Sequence, residues 1–280
     1  MMRRILITGG AGYLGSELVR QATAQGWEVA ATYFVRRLAG EPTHATVLDI
    51  RDEYATERVF AAFRPDIVIH TAFRQSEPDL WTTTADGTGV IARAARRADA
   101  RLIHISSDAL FDGMCEGRYT EEDAPCPITP YGEAKAAAER LVSEHDPRAL
   151  IVRTSLIYGG ATPSVHEQLV LDAADGRAEV VFFRDELRCP VVVSDLAAAL
   201  LELASSALGG VLHVAGTDVV SRYDFARRVA AAHGRSSDRL RSGLSAESGM
   251  RRPRNCALDC SRAQGLLRTR LRGVREVLSL

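Results

Sequence analysis

Residues 3–26 read RRILITGGAGYLGSELVRQATAQG. The apolar run Ile5-Leu6-Ile7 ends in Thr8 and meets Gly9 at once, glycines recur at Gly12 and Gly15, and a helical stretch then continues to Gln25 and stops at Gly26. This order predicts a strand, a tight loop and a helix. A Gly-x-x-Gly-x-x-Gly pattern says little alone, but between a strand and a helix it is the fingerprint of a dinucleotide site. Gly9 and Gly12 let the backbone turn and bring its N–H groups against a pyrophosphate, and Gly15 lets the helix lie close on the strand. The anion then rests on the helix N-terminus. The expected cofactor contacts in this loop are Gly9, Gly12, Tyr13, Leu14 and Gly15.

A second strand, WEVAATYF at 27–34, completes a βαβ unit whose crossover is right-handed and whose strands are parallel. Further strand-like runs follow at 45–50 (ATVLDI), 66–73 (DIVIHTAF), 101–107 (RLIHISS), 149–158 (ALIVRTSLIY) and 210–216 (GVLHVAG). Helical stretches rich in alanine and arginine separate most of them, notably 88–98 and 133–145. Such alternation predicts an α/β fold, a doubly wound parallel (Rossmann) sheet. Beyond Gly160 the pattern loosens, and after Gly216 it turns helical and basic. The expected organisation is a Rossmann domain over 1–160, completed by about 190–216. Residues 161–189 and 217–280 would form a smaller, mostly helical substrate-binding cap over the carboxyl edge of the sheet.

With 280 residues, 46% hydrophobic and 25% charged, the composition is globular and excludes a fibrous repeat. No apolar run approaches the roughly 18 residues of a membrane span, and glycines interrupt the N-terminal apolar stretch before it resembles a signal peptide. The cytoplasm is the expected location. The five cysteines are odd in number and show no CxxC spacing, so neither a disulfide framework nor a metal site is expected. The balance of 35 basic against 36 acidic residues conceals two asymmetries. From Arg222 onward arginines far outnumber acids, which suits a solvated surface or a wall for phosphate groups. Nucleic-acid binding is not expected there, because no recognised binding module accompanies the charge. The second asymmetry is that Lys135 is the only lysine among the 35 basic residues.

That lysine lies four residues after Tyr131, on one face of the helix that 128–142 (ITPYGEAKAAAERLV) predicts. A cation beside a phenol favours the phenolate and brings its pKa down from about 10, which equips Tyr131 to give or take a proton. An arginine would supply charge but not a compact ammonium that can also bond ribose hydroxyls. The strand at 101–107 ends in Ser106-Ser107-Asp108, so the Ser107 hydroxyl stands at the carboxyl end of a parallel strand, where ligands bind. Ser107, Tyr131 and Lys135 are the expected catalytic set. After the second strand the chain offers Ala31, Thr32 and Tyr33 where an NAD-preferring site places an acid, followed by Arg36 and Arg37. The missing acid and the two guanidiniums favour a 2′-phosphate and hence NADPH, with NADH as the alternative.

Together TGGAGYLG, LDI at Leu48 to Ile50, SSDALFDG from Ser106, Tyr131 with Lys135, VRTSLIYG from Val152, SRYDFA from Ser221 and RRPRNCALD from Arg251 resemble the extended short-chain dehydrogenase/reductase family. The resemblance is strongest to its dTDP-4-dehydrorhamnose reductase branch and spans nearly the whole chain. It implies a reductase of the 4-keto group of a nucleotide-linked deoxysugar, in which hydride leaves the nicotinamide, Tyr131 supplies the proton and Ser107 orients the carbonyl. It further implies that Asp49 and Ile50 flank the adenine and that Ala72 and Phe73 line the cofactor. Ser107, Asp108, Leu156 and Arg252 would meet the substrate, no metal would be needed, and a homodimer is compatible with the pattern.

Three positions depart from that branch. Thr84 stands where an asparagine is frequent, Leu156 where an aromatic residue is frequent, and the wording around Arg74 is unusual. Two alternatives remain at this point, an epimerase of the same superfamily and a non-catalytic NADP-binding regulatory subunit. A dehydratase is disfavoured because Ala109, not an acid, follows Asp108.

Overall fold

The computed structural model describes residues 3–35 and 44–280. Seven strands form one parallel sheet. In chain order the first elements are β1 (Arg4–Thr8), α1 (Tyr13–Ala24), β2 (Glu28–Tyr33), β3 (His44–Val47), α2 (Glu53–Phe63) and β4 (Ile67–His70). They are followed by α3 (Gly87–Arg97), β5 (Arg101–Ser107), α4 (Pro130–His145) and β6 (Leu150–Thr154). The seventh strand is Gly210–His213, and the order across the sheet is Gly210–His213, β6, β5, β4, β1, β2, β3. The order reverses between β1 and β4, and such a reversal in an open α/β sheet creates the crevice in which ligands bind.

The central strands are mostly apolar because both faces are covered. Ile5, Leu6, Ile7, Val68, Ile69 and Ile103 are completely buried, the pattern expected of a strand with helices on either side. Beneath them Leu6, Val68, Leu102 and Ile151 pack with Phe60 of α2 and the alanines of α3. Alanine is frequent on these helices because a small side chain lets a helix approach the sheet. Buried among them is one ion pair, in which Arg153 of β6 donates to both oxygens of Glu139 of α4 at 2.9–3.3 Å. Removing one partner of such a pair would leave a buried charge at a cost of about 3–5 kcal/mol.

The chain divides into two compact units. The first comprises Met1–Ser107, Pro130–Arg153 and Ala197–Leu212, and the second Asp108–Thr129, Thr154–Leu196 and His213–Leu280. Residues 108–129, 154–160, 190–196 and 213–216, which the sequence grouped with the Rossmann domain, therefore belong to the second unit. The chain leaves the first unit directly after Ser107 and returns at the start of α4.

The second unit has its own apolar core, built from Tyr158, Phe182, Val220, Phe225, Val229 and neighbours. Besides helices such as Val165–Ala174 and Arg222–Ala232 it carries short strand pairs, among them Val181–Phe183 with Arg241–Gly243. The helix at Val165 starts with a capping box in which Ser164 and Glu167 satisfy each other's backbone N–H groups. No described helix is long and apolar enough to cross a membrane.

Candidate active site

The loop after β1 is shaped by its glycines. Gly9 adopts φ +74°, a conformation that disfavours any side chain, and its carbonyl accepts from Gly12 N at 2.8 Å. A Cβ on Gly15 would lie 2.2 Å from the Gly9 carbonyl oxygen, so close helix packing requires glycine there. Gly12 is different. It is the extended N-cap of α1, offers no side-chain cap, and a Cβ on it would meet only the Gly9 oxygen at 3.1 Å. No acid lies in the first turn of α1, which begins with Tyr13 and buried Leu14, and apart from the Gly9 oxygen nothing stands within 4 Å of where a Gly12 Cβ would lie. These features fit a pyrophosphate on the positive end of the helix.

Ala72 closes the far side of the loop, its backbone N and Cα lying 2.8 Å from where a Gly9 Cβ would stand. Asp49 is bound by Arg51, which donates from Nη2 at 2.7 Å and in turn reaches Asp79 at 2.9 Å. The Arg51 guanidinium holds the Asp49 carboxyl below the usual carboxylate range. Ile50 is buried in the core and presses against Gly87, so its side chain serves packing. Arg36 and Arg37 lie outside the described residues.

At the head of α4, half-buried Tyr131 stands four residues before Lys135, which is buried. The Lys135 ammonium donates to the carbonyl of Ile105 at 2.8 Å, two residues before Ser107 at the end of β5. The half-exposed ring of Phe73 completes the group, 5.9 Å from the Tyr131 ring and 5.1 Å from the Lys135 nitrogen. Burial pushes the Lys135 ammonium down to about 8, with Glu139 opposing. A lysine so placed is still charged at neutral pH and sits beside the phenol it would tune. Thr84, at the departure from the expected asparagine, lies in a π-helical turn before α3. Its hydroxyl donates to the Arg74 carbonyl at 2.7 Å and accepts from Arg74 N at 2.9 Å, so it clasps the unusual segment around Arg74.

In the second unit Asp108 is buried and accepts from the Ser155 hydroxyl at 2.6 Å, with Arg188 3.7 Å away. Its carboxylate is thus part of an internal network. Leu156 is half-buried, and its carbonyl accepts from Val191 N. Arg252 pairs with Glu186 at 3.0 Å and lies over the Phe183 ring at 5.4 Å.

Arg252 borders a cavity of about 600 Å³ whose walls include Phe183, Leu244, Met250 and Arg222. Sequence reading missed Arg222, Glu186 and Arg188. Arg222 Nη1 is buried with no hydrogen-bond partner among the described residues. Burial pulls this guanidinium down to about 10 against the opposing effect of Glu186, so it remains charged at neutral pH. A buried cation with an unused donor beside an apolar ring suits an anionic, aromatic ligand.

Residues 2–280 match the family model for the RmlD substrate binding domain. The chain belongs to this family. Among its RmlD-family relatives, dTDP-4-dehydrorhamnose reductase of Mycobacterium tuberculosis is 34% identical over 264 residues, covering 90% of this chain and 83% of that protein. Methionine adenosyltransferase 2 subunit beta of Bos taurus is 31% identical over 285 residues, covering 94% and 82%. The crystal structure of dTDP-4-dehydrorhamnose reductase from Bacillus anthracis in complex with NADP superimposes with a TM-score of 0.85 at 25% identity, covering 99% of this chain and 98% of that one. As an RmlD-family member the chain has the Rossmann-like α/β fold and the short-chain dehydrogenase/reductase affiliation expected of its motifs.

Proposed function

We propose that the protein is an NADPH-dependent reductase of the 4-keto group of a nucleotide-linked deoxysugar. The observation that carries this reading is the buried Lys135 fastened to the Ile105 carbonyl, one helical turn from Tyr131 and below Phe73. NADPH, when bound, supplies the hydride. Gly9, Gly12, Gly15 and the first turn of α1 hold its pyrophosphate, and Ala72 and Phe73 line its path. The Lys135 ammonium bonds the ribose and favours the Tyr131 phenolate, so that Tyr131 can release its proton to the alkoxide oxygen as the carbonyl is reduced. Ser107 positions the carbonyl oxygen. Reading a 2′-phosphate falls to Arg36 and Arg37.

The cavity bordered by Phe183, Arg222 and Arg252 supports a nucleotide diphosphate as the handle of the substrate, with guanidiniums for phosphate and an aromatic face for the base. Arg222→Gln is expected to raise KM for such a substrate about tenfold, equivalent to about 1.4 kcal/mol, with a smaller change in kcat, because the contact is made equally in ground and transition states. Steady-state kinetics checks this. An unchanged KM would remove Arg222 from the substrate site.

The reductase reading is tested by following NADPH oxidation over a panel of nucleotide-linked 4-keto sugars and simple ketones. The similarity to a methionine adenosyltransferase subunit gives the panel a second informative outcome. Tight NADPH binding without oxidation of any ketone would favour a regulatory NADP-binding subunit.

A further inference from the structure

The cavity bordered by Arg252 lies within the second unit, and Glu186 is the one buried carboxylate on its wall. On charge alone an acid is misplaced there, because it repels the phosphates that Arg222 and Arg252 would attract. Its bonds give the reason for it. Glu186 Oε1 accepts from Arg188 Nη2 at 3.1 Å, and Oε2 accepts from Arg252 Nε at 3.0 Å. The Glu186 backbone carbonyl accepts from Arg222 N at 2.9 Å, where the helix Arg222–Ala232 begins. One residue therefore touches all three arginines.

The two arginines on its carboxylate differ in what they have left to give. Arg188 is buried and committed to the chain, since Nη1 donates to the carbonyls of Leu187 at 2.7 Å and Arg254 at 3.1 Å, and Nη2 donates to that of Pro253 at 3.0 Å. These bonds fix the backbone that follows Arg252. Arg252 itself is held at two places only. Its Nε bonds Glu186 and its guanidinium lies over the Phe183 ring at 5.4 Å, while no hydrogen bond holds Nη1 or Nη2 among the described residues. A guanidinium is planar and carries its donors in a fixed fork, so fixing one edge and one face determines where the remaining edge points. An exposed arginine without such a hold samples several rotamers and must be ordered when a ligand arrives.

We propose that Glu186 is a positioning residue: its carboxylate grips Arg252 by the Nε edge and so presents the Nη edge, already ordered, to the phosphates of the substrate. This rests on reading the cavity as the site of the substrate's nucleotide diphosphate. Glu186 touches no phosphate and acts through Arg252, and Arg188 anchors the carboxylate from its other oxygen.

Thymidine, uridine and guanosine diphosphates are titrated by calorimetry into the NADPH-saturated enzyme, and the tightest is carried through Glu186→Asp, Arg252→Ala and the double variant. Aspartate keeps the charge but is one methylene short of bridging Arg188 and Arg252. Glu186→Asp is expected to raise Kd about tenfold, Arg252→Ala at least as much, and the double variant to stay within about twofold of Arg252→Ala alone. NADPH affinity is expected to be the same in all of them. If the aspartate variant does not fold, Glu186→Gln takes its place. Loss of a negative charge by itself would tighten the binding of an anion, so weaker binding by the glutamine variant marks lost positioning. A Kd unmoved by the Glu186 variant while Arg252→Ala weakens binding would overturn the positioning role and leave the cavity reading intact. Equal losses from the Glu186 variant with and without Arg252 would overturn it too, because the effect would not pass through that arginine. A Kd unmoved by Arg252→Ala, or no binding of any of the three diphosphates to the parent, would overturn the proposal together with the cavity reading.

Discussion

Tyr131→Phe lowers kcat by about 100-fold or more and leaves NADPH affinity essentially unchanged. The ring remains to pack against Phe73, 5.9 Å away, and the Lys135 ammonium keeps its bond to the Ile105 carbonyl. Only the hydroxyl is lost, and with it the proton that must reach the alkoxide as hydride arrives. Stopped-flow measurement of hydride transfer, paired with a fluorescence titration of NADPH, separates the two quantities. Unchanged turnover would remove Tyr131 from the chemistry, and a parallel loss of cofactor binding would make its role structural.

The second large effect distinguishes a cofactor loop from an ordinary tight turn. Gly12→Ala is expected to leave thermal stability nearly unchanged, because Gly12 already has φ −74° and a Cβ there meets only the Gly9 oxygen at 3.1 Å. The methyl group would instead occupy the place proposed for the pyrophosphate. Losing about two phosphate hydrogen bonds, each worth roughly 1.5 kcal/mol, weakens NADPH about 100-fold. Gly15→Ala should behave differently. Its Cβ would stand 2.2 Å from a backbone oxygen, so it costs stability by about 1–3 kcal/mol as well as binding. Thermal unfolding and cofactor titration of both variants check the contrast. NADPH affinity retained in Gly12→Ala would mean that the loop is only a turn.

Most of the parallel sheet was legible because its central strands are buried on both faces and read as largely apolar runs between helical stretches. All seven strand-like runs contribute to the sheet, although the run at 45–50 stops pairing after Val47 and Ile50 turns into the core. The phosphate loop and the Tyr131–Lys135 pair were legible for a related reason. Both are local in sequence, and the rarity of lysine in this chain made the second conspicuous.

What escaped was assembled from distant segments. Arg222 and Arg188 carry the same letter as the solvent-exposed arginines of the terminal segment, and nothing in the local pattern marks Arg188 as buried or the Arg222 Nη1 as hidden from solvent. Hydrophobic periodicity likewise counts a buried Glu186 as polar surface. The unit boundary after Ser107 was hidden because the chain crosses it between adjacent residues, within the continuous motif Ser106 to Gly113.

In the reaction proposed, this chain passes hydride from NADPH to a sugar ketone. The most direct measurement supplies NADPH deuterated at C4 of the nicotinamide together with a nucleotide-linked 4-keto-6-deoxysugar, and locates the label in the product. One deuterium is expected on carbon 4 of the sugar alcohol, with one NADPH consumed for each alcohol formed. Unaltered ketone recovered from an enzyme saturated with NADPH would contradict it.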